Sequence, residues 1–397
     1  MQSVLTNARI LADQGMIEGH ALVLEGARIA AIVPREEAPA GGRRFDLDGA
    51  ILAPGFIDVQ VNGGNGRLFN ESPDVETIRE IGAAHRRFGT TGFLPTLISD
   101  ELDVIAEAVA AVDAAIAEGV PGVLGIHIEG PFLSTDKKGV HDPSKFRRLE
   151  AGHLPLLTAL KRGRTLVTLA PENAPPELIR RLVAAGVIVS AGHTDATYDV
   201  TKGALAAGVT GFTHLFNAMS PMTSREPGVV GAALEDPNSW CGLIVDGRHV
   251  APAVLKVALK CKPLDRLMLV TDAMPTVGMK EKAFRLQGRL ITVEDGVCVA
   301  ENGTLAGSDL EMARAVRNAA ALMGLSLAEA TRMASRHPAA FLGLDGELGR
   351  IAPGWRASLV AFDDDLVVRE TWIDGVASGE AKELNATSAA SRKSYAP

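Results

Sequence analysis

Four side chains in this sequence could act together: Glu129, His193, His214 and Asp272. Each closes an apolar run. Glu129 ends Gly122–Ile128 and is followed at once by Gly130-Pro131. His193 ends the run from Val187, His214 the run from Val209, and Asp272 the run from Leu267. Short apolar runs bounded by turn residues read as buried strands. A carboxylate at the end of such a strand is costly unless something positive meets it. One carboxylate and two imidazoles supply the donor set of a catalytic divalent metal with a position left open. That set suits zinc, with iron(II) or cobalt as alternatives. An aspartate at a fourth strand end could then move a proton. A single strand-end histidine is more often hydrogen-bonded structure than ligand, and so is a lone glutamate. The recurrence at equivalent positions is what points to a metal. His127 alternates with Glu129 and faces the same side, but lies deeper, and reads as a packed interior histidine. His20, His85, His153 and His337 fall in turns or on helices and read as surface residues.

For the four residues to meet, their strands must lie side by side. Strands are expected over 55–61, 91–97, 123–129, 165–170, 187–192, 209–214, 240–246 and 266–271, with helices between them over 74–88, 101–118, 176–185 and 197–207. Eight apolar strands with helical crossovers predict an α/β fold of the TIM type, a closed (β/α)₈ barrel spanning 54–344, over an open doubly wound sheet. In such barrels the active site lies at the C-terminal strand ends, where all four residues fall. Residues 1–53 carry short strands that cannot cover both of their faces alone. Residues 345–378 return to strand character and are expected to join them in one small β-sandwich lobe built from both chain ends. Between the eighth strand and that return, 284–299 read as a β excursion turning at Asp295-Gly296. Helices are expected from Ser308 to Met323 and from Ser326 to Ser335, each with a serine N-cap. Residues 379–397 are polar and alanine-rich and read as a loose tail.

Composition narrows the partners. The chain has 397 residues, a formal net charge of -8 and 22% charged residues, without a basic run interleaved with aromatics, so nucleic acid is not an expected partner. Its three cysteines are odd in number and widely spaced, which argues against a disulfide framework and for a reducing, cytoplasmic setting. Cys241 reads as core packing. Neither a signal peptide nor a run of about 18 apolar residues is seen, so no membrane partner is expected.

Further motifs carry a resemblance. Ala53-Pro-Gly-Phe-Ile-Asp58 resembles the opening strand of the amidohydrolase superfamily. Many members follow it with His-x-His, which gives two metal ligands; here Gln60-Val61-Asn62 stands instead, and amides are poor ligands beside imidazole. No lysine ends the fourth strand, where some relatives place a bridging carboxylated lysine. One metal per chain, rather than two, is the expectation. Within the superfamily the chain resembles the N-acetylglucosamine-6-phosphate deacetylase family over most of its length. The match runs in order through Val61–Gly64, Gly89–Thr96, His127–Phe132, Lys138–His141, Ser190–Thr194, Thr213–Met219, Ile244–His249, Val270–Asp272 and Leu305–Ser308.

The resemblance implies that Glu129, His193 and His214 hold the metal and that Asp272 is the general base and acid. It implies that His141 contacts the substrate carbonyl with Val140 beside it. Asn217, Ala218, Arg225 and His249 would meet a sugar phosphate, and Leu305, Ala306 and Gly307 would line the sugar. It further implies a homodimer, across whose interface some of these contacts can pass. The expected reaction is hydrolysis of the N-acetyl amide of N-acetyl-D-glucosamine 6-phosphate to acetate and the free amine. Two other readings compete: an amidohydrolase for another N-acyl or cyclic amide, and a barrel kept only as a non-catalytic scaffold. Phosphate dependence separates the first, and metal content the second.

Overall fold

The computed structural model describes residues 1–379 and 383–384. Its centre is an eight-stranded parallel sheet in which sequence neighbours are spatial neighbours throughout: Phe56–Val61, Thr90–Ile98, Gly125–Glu129, Arg164–Leu169, Ile188–Ala191, Gly211–Phe212, Trp240–Leu243 and Leu267–Leu269. Every expected barrel strand is present. The sixth is cut to two residues because the chain turns early towards His214. The first and last strands meet beyond Leu269. Asp272 N donates to Gln60 O at 3.0 Å, Asn62 N donates to Ala273 O at 2.9 Å, and Val61 bridges Ala273 in parallel. The sheet therefore closes at the level of the candidate site rather than below it.

The buried Asp58 carboxylate reinforces that closure. It accepts from Gln60 N at 3.1 Å, Thr271 N at 3.3 Å and Thr271 Oγ1 at 2.5 Å. Burial pushes its pKa up to about 7 against these bonds. His127 is the hydrogen-bonded interior residue expected: Nδ1 lies 3.2 Å from Thr96 Oγ1 and Nε2 lies 2.8 Å from Thr168 Oγ1.

The crossover helices sit where periodicity places them. Val75–Arg86 starts on an Asp74 cap, Tyr198–Ala207 on a Thr197 cap, and Leu327–Ala334 on a Ser326–Glu329 capping box. The helix expected from Ser308 begins later, at Met312, on a Glu311 cap. Ser308 instead ends a strand, and its hydroxyl donates to Thr271 O at 2.5 Å. Two of the histidines read as surface are buried. His85 Nε2 donates to Gly63 O at 2.9 Å, and His337 Nδ1 donates to Leu267 O at 2.8 Å. Both rings serve backbone carbonyls left over at strand ends, a tertiary demand that helix position does not report.

Ile51–Pro54 pairs antiparallel with Leu359–Phe362, so the two chain ends do share a sheet. A six-stranded and a five-stranded sheet enclose a core that includes Leu5, Leu22, Leu24, Ile29, Phe45, Leu52, Leu359 and Trp372. The excursion after the eighth strand is a four-stranded antiparallel sheet, Ala283–Leu286, Arg289–Glu294, Val297–Ala300 and Leu305–Ser308, with left-handed Asp295 and Gly296 at one turn. Of the expected loose tail, Glu383–Leu384 pairs with Arg44 and Phe45; 380–382 and 385–397 lie outside the described residues. No described helix is long and apolar enough to cross a membrane.

Candidate active site

The strand ends deliver their residues through unusual backbone. His193, His214 and Asp272 have φ of 48°, 35° and 52°. Left-handed conformations are rare for such side chains and cost about 1–3 kcal/mol each. The strands hold them there: Ser134 N donates to His193 O at 2.9 Å, Leu215 N to Gly242 O at 2.8 Å, and Ser308 N to Asp272 O at 2.9 Å. Glu129 is the last residue of the third strand and needs no such turn.

Three donor atoms converge. Glu129 Oε1 lies 3.2 Å from His193 Nε2 and 3.1 Å from His214 Nε2, and the two nitrogens are 3.1 Å apart. All three residues are buried. His193 Nδ1 donates to Lys137 O at 2.8 Å, so in the neutral ring Nε2 carries the lone pair. His214 Nδ1 is buried without a hydrogen-bond partner. Three ligand atoms lie about 3 Å from one another, which either a shared proton or a cation among them relieves. The donor set fits a divalent cation, and these residues form the candidate metal group among the described residues. Burial raises the Glu129 pKa, but bonds from His193 and His214 outweigh it and hold the carboxyl well below its ordinary range. His214 is pushed up, because Glu129 outweighs the burial that would lower it.

Asp272 stands beside this group, open to the cavity. Its Oδ1 accepts from Asn62 Nδ2 at 2.7 Å and Gln60 Nε2 at 3.2 Å. The same Gln60 amide lies 3.3 Å from both Glu129 oxygens. The two amides in the place of His-x-His therefore tether the carboxylates, a role the sequence reading did not assign. Their alternation along one strand face was the available signal. Burial, and then the Glu129 charge, raise the Asp272 pKa.

These groups line one cavity of about 340 Å³. Val140, His141, Asn217, Ala218, His249, Leu305, Ala306 and Gly307 line it as well, so the structure brings these predicted residues to one place. Gly307 has φ +75°, and a Cβ there would meet Asp272 O at 2.8 Å; only glycine lets this wall approach so closely. His141 Nδ1 accepts from Ser99 N at 3.2 Å, which leaves Nε2 as the N–H of a neutral ring. Burial, with neighbouring His193, lowers the His141 pKa to about 3. His249 Nδ1 is 2.5 Å from Asp246 Oδ2. Arg225 is not brought to the cavity within one chain. It lies exposed on the loop after Ser220, a loop whose Met222 lines an apolar groove of about 380 Å³ with Val254 and Val257. Asn62, Lys137 and Thr304 also line the cavity and were missed; their contacts come through loops whose paths no local pattern reveals.

A family model described as amidohydrolase family matches residues 51–378, and one described as NagA composite domain matches residues 4–52. An N-acetylgalactosamine-6-phosphate deacetylase from Shewanella sp. (strain ANA-3) is 42% identical, covering 94% of this chain and 95% of its own. The human N-acetylglucosamine-6-phosphate deacetylase is 39% identical, covering 93% and 94%. The crystal structure of N-acetylglucosamine-6-phosphate deacetylase from Pasteurella multocida superposes with a TM-score of 0.91 at 38% identity, covering 97% of this chain and all of that one.

Proposed function

This chain belongs to the amidohydrolase family, and from that premise we propose that it hydrolyses the N-acetyl amide of N-acetyl-D-glucosamine 6-phosphate, releasing acetate and glucosamine 6-phosphate. The observation that carries the reading is the meeting of Glu129, His193, His214 and Asp272 at one cavity. A second reading, the galactosamine epimer, is favoured by the name of the Shewanella relative at 42% identity. The two sugars differ at one hydroxyl, and both keep the amide and the phosphate.

Glu129, His193 and His214 would hold one divalent ion, zinc by donor type, with iron(II) or cobalt as alternatives. Such an ion supplies Lewis acidity towards the acetyl carbonyl and acidifies water. The chain's own residues do the rest. Asp272 has one oxygen engaged by Asn62 and Gln60, which leaves Oδ2 to take the proton from the attacking water. Its raised pKa helps it take and hold that proton until the departing amine, a poor leaving group without it, accepts it. His141, neutral and protonated at Nε2, donates to the carbonyl oxygen as negative charge grows there.

His249 and Asn217 meet the phosphate end. Arg225 reaches it from a second chain in a homodimer, whose interface is the apolar face at Met222, Val254 and Val257; the exposure of these side chains supports that reading. Three free cysteines fit a cytoplasmic enzyme.

The test is acetate release from four sugars, the gluco and galacto epimers each with and without the 6-phosphate. Fast turnover confined to the phosphorylated pair is expected. Equal turnover of the free sugars would remove the phosphate from the reading, and no acetate from any of them would remove the activity.

A further inference from the structure

Beyond the metal group lies a second histidine–carboxylate pair, of which the reading above uses only His249. Asp246 and His249 sit on the loop after the seventh barrel strand, Trp240–Leu243. Both side chains are buried, 2% and 4% exposed, although His249 lines the cavity. Asp246 splits its two oxygens between two tasks. Oδ1 accepts from the backbone N–H of Arg248 and of His249, each at 2.8 Å, and so fixes the turn. Oδ2 takes the His249 ring through Nδ1 at 2.5 Å. A ring held at Nδ1 must present Nε2 to whatever fills the cavity. The loop is braced from behind as well, since Asn318 Nδ2 donates to Val245 O at 2.8 Å.

We propose that Asp246 is the positioning residue of the phosphate-binding end: it aims His249 Nε2 at the phosphate and balances the charge of the ring when both of its nitrogens carry hydrogen. This rests on the sugar-phosphate reading above. The physical reason is the partner's charge. A neutral ring bound to Asp246 through Nδ1–H offers a phosphate only a lone pair, which repels it. A cationic ring donates from both nitrogens, to a carboxylate on one side and a phosphate on the other, and both bonds are charge-assisted. Without Asp246 the ring could still turn and donate as a neutral group, but the stronger bond would be lost.

Asp246→Asn isolates this role. The amide oxygen keeps the two backbone bonds of the turn, while its NH₂ now faces the ring and forces the other tautomer. The readout is the ratio of kcat/KM for N-acetyl-D-glucosamine 6-phosphate to that for the free sugar. Asp246→Asn is expected to lower this ratio about ten-fold, mostly through KM, as for a lost hydrogen bond between charged groups. In a His249→Gln background the same change is expected to lower it no further, because the two side chains act as one unit. A ratio unmoved by Asp246→Asn, or effects that add across the two sites, would overturn the proposal. If the wild type turns over neither sugar, the substrate reading falls instead. The pair is then decided by the affinity of the wild type and Asp246→Asn for inorganic phosphate, where about ten-fold weaker binding supports it and equal binding overturns it. Should Asp246→Asn not fold, the wild-type His249 ring is read by nitrogen NMR with inorganic phosphate bound: protonation at both nitrogens supports the pair, and a bare Nε2 refutes it.

Discussion

Two glutamates of this molecule are buried to the same degree, Glu370 in the β lobe at 1% exposure and Glu129 at the barrel mouth at 2%, and they are treated in opposite ways. Glu370 is met by hydrogens. Thr371 N donates at 2.7 Å and Ser378 N at 2.8 Å, with the Ser378 hydroxyl on the same oxygen. Glu129 is met by two imidazole nitrogens, one of them fixed by Lys137 O as a lone-pair atom in the neutral ring, and by the Gln60 amide at a long 3.3 Å. The first carboxylate is complete without a ligand and holds a fold together. The second is met by ring nitrogens that could share a cation with it. Left-handed backbone occurs in both places: at Asn7, Asp48, Leu366 and Asp374 in the lobe, and at His193, His214 and Asp272 at the mouth, where it turns the chain at three strand ends that face one cavity.

The same substitution at both sites tests this contrast. Glu129→Gln is expected to release the metal and lower kcat/KM by about 10³-fold or more, with little loss of thermal stability. Metal analysis beside acetate release reads it, and retention of the ion with full activity would break the contrast. Glu370→Gln should do the reverse. It should cost about 2 kcal/mol in denaturant unfolding by turning Oε2 into a donor opposite Gly379 N and removing the charge that Thr371 and Ser378 meet at Oε1, with kcat preserved. Arg225→Ala carries the comparison to the open side of the cavity. It should raise KM for the phosphorylated sugar about ten-fold without touching metal content, and an unchanged KM would detach that loop from the site.

The smallest effect concerns a buried histidine away from the metal. Burial lowers the His85 pKa from 6.5 to about 4. The unfolded chain then binds the extra proton between those values, so the stability of a neutral His85 is fully present above pH 6.5 and is lost as pH falls towards 4. His85→Gln should flatten that acid limb by about 1 kcal/mol at pH 5.5, read as the difference in unfolding free energy between pH 5.5 and pH 7.

Much of this was legible in the sequence because apolar runs of fixed period mark the barrel strands, and because strand ends in a closed barrel share one face. That logic places Glu129, His193, His214 and Asp272 together without any long-range information. It fails where a residue answers to a distant backbone group. His85 and His337 are drawn inside by carbonyls of Gly63 and Leu267. Ser308 reads as a helix cap yet closes a strand against Thr271. Gln60 and Asn62 read only as missing ligands, since their value lies in reaching Asp272 from the opposite end of the chain. Arg225 is exposed and does not line the cavity within the chain, and no pattern in the sequence fixes where its loop runs.

The most direct test joins metal content and turnover in Asp272→Asn. With Glu129, His193 and His214 intact, the variant should keep about one divalent ion per chain and lose acetate release by about 10²–10⁴-fold, because the proton carrier is gone while the ion's ligands remain. Near-normal acetate release from the ion-loaded variant would contradict the account.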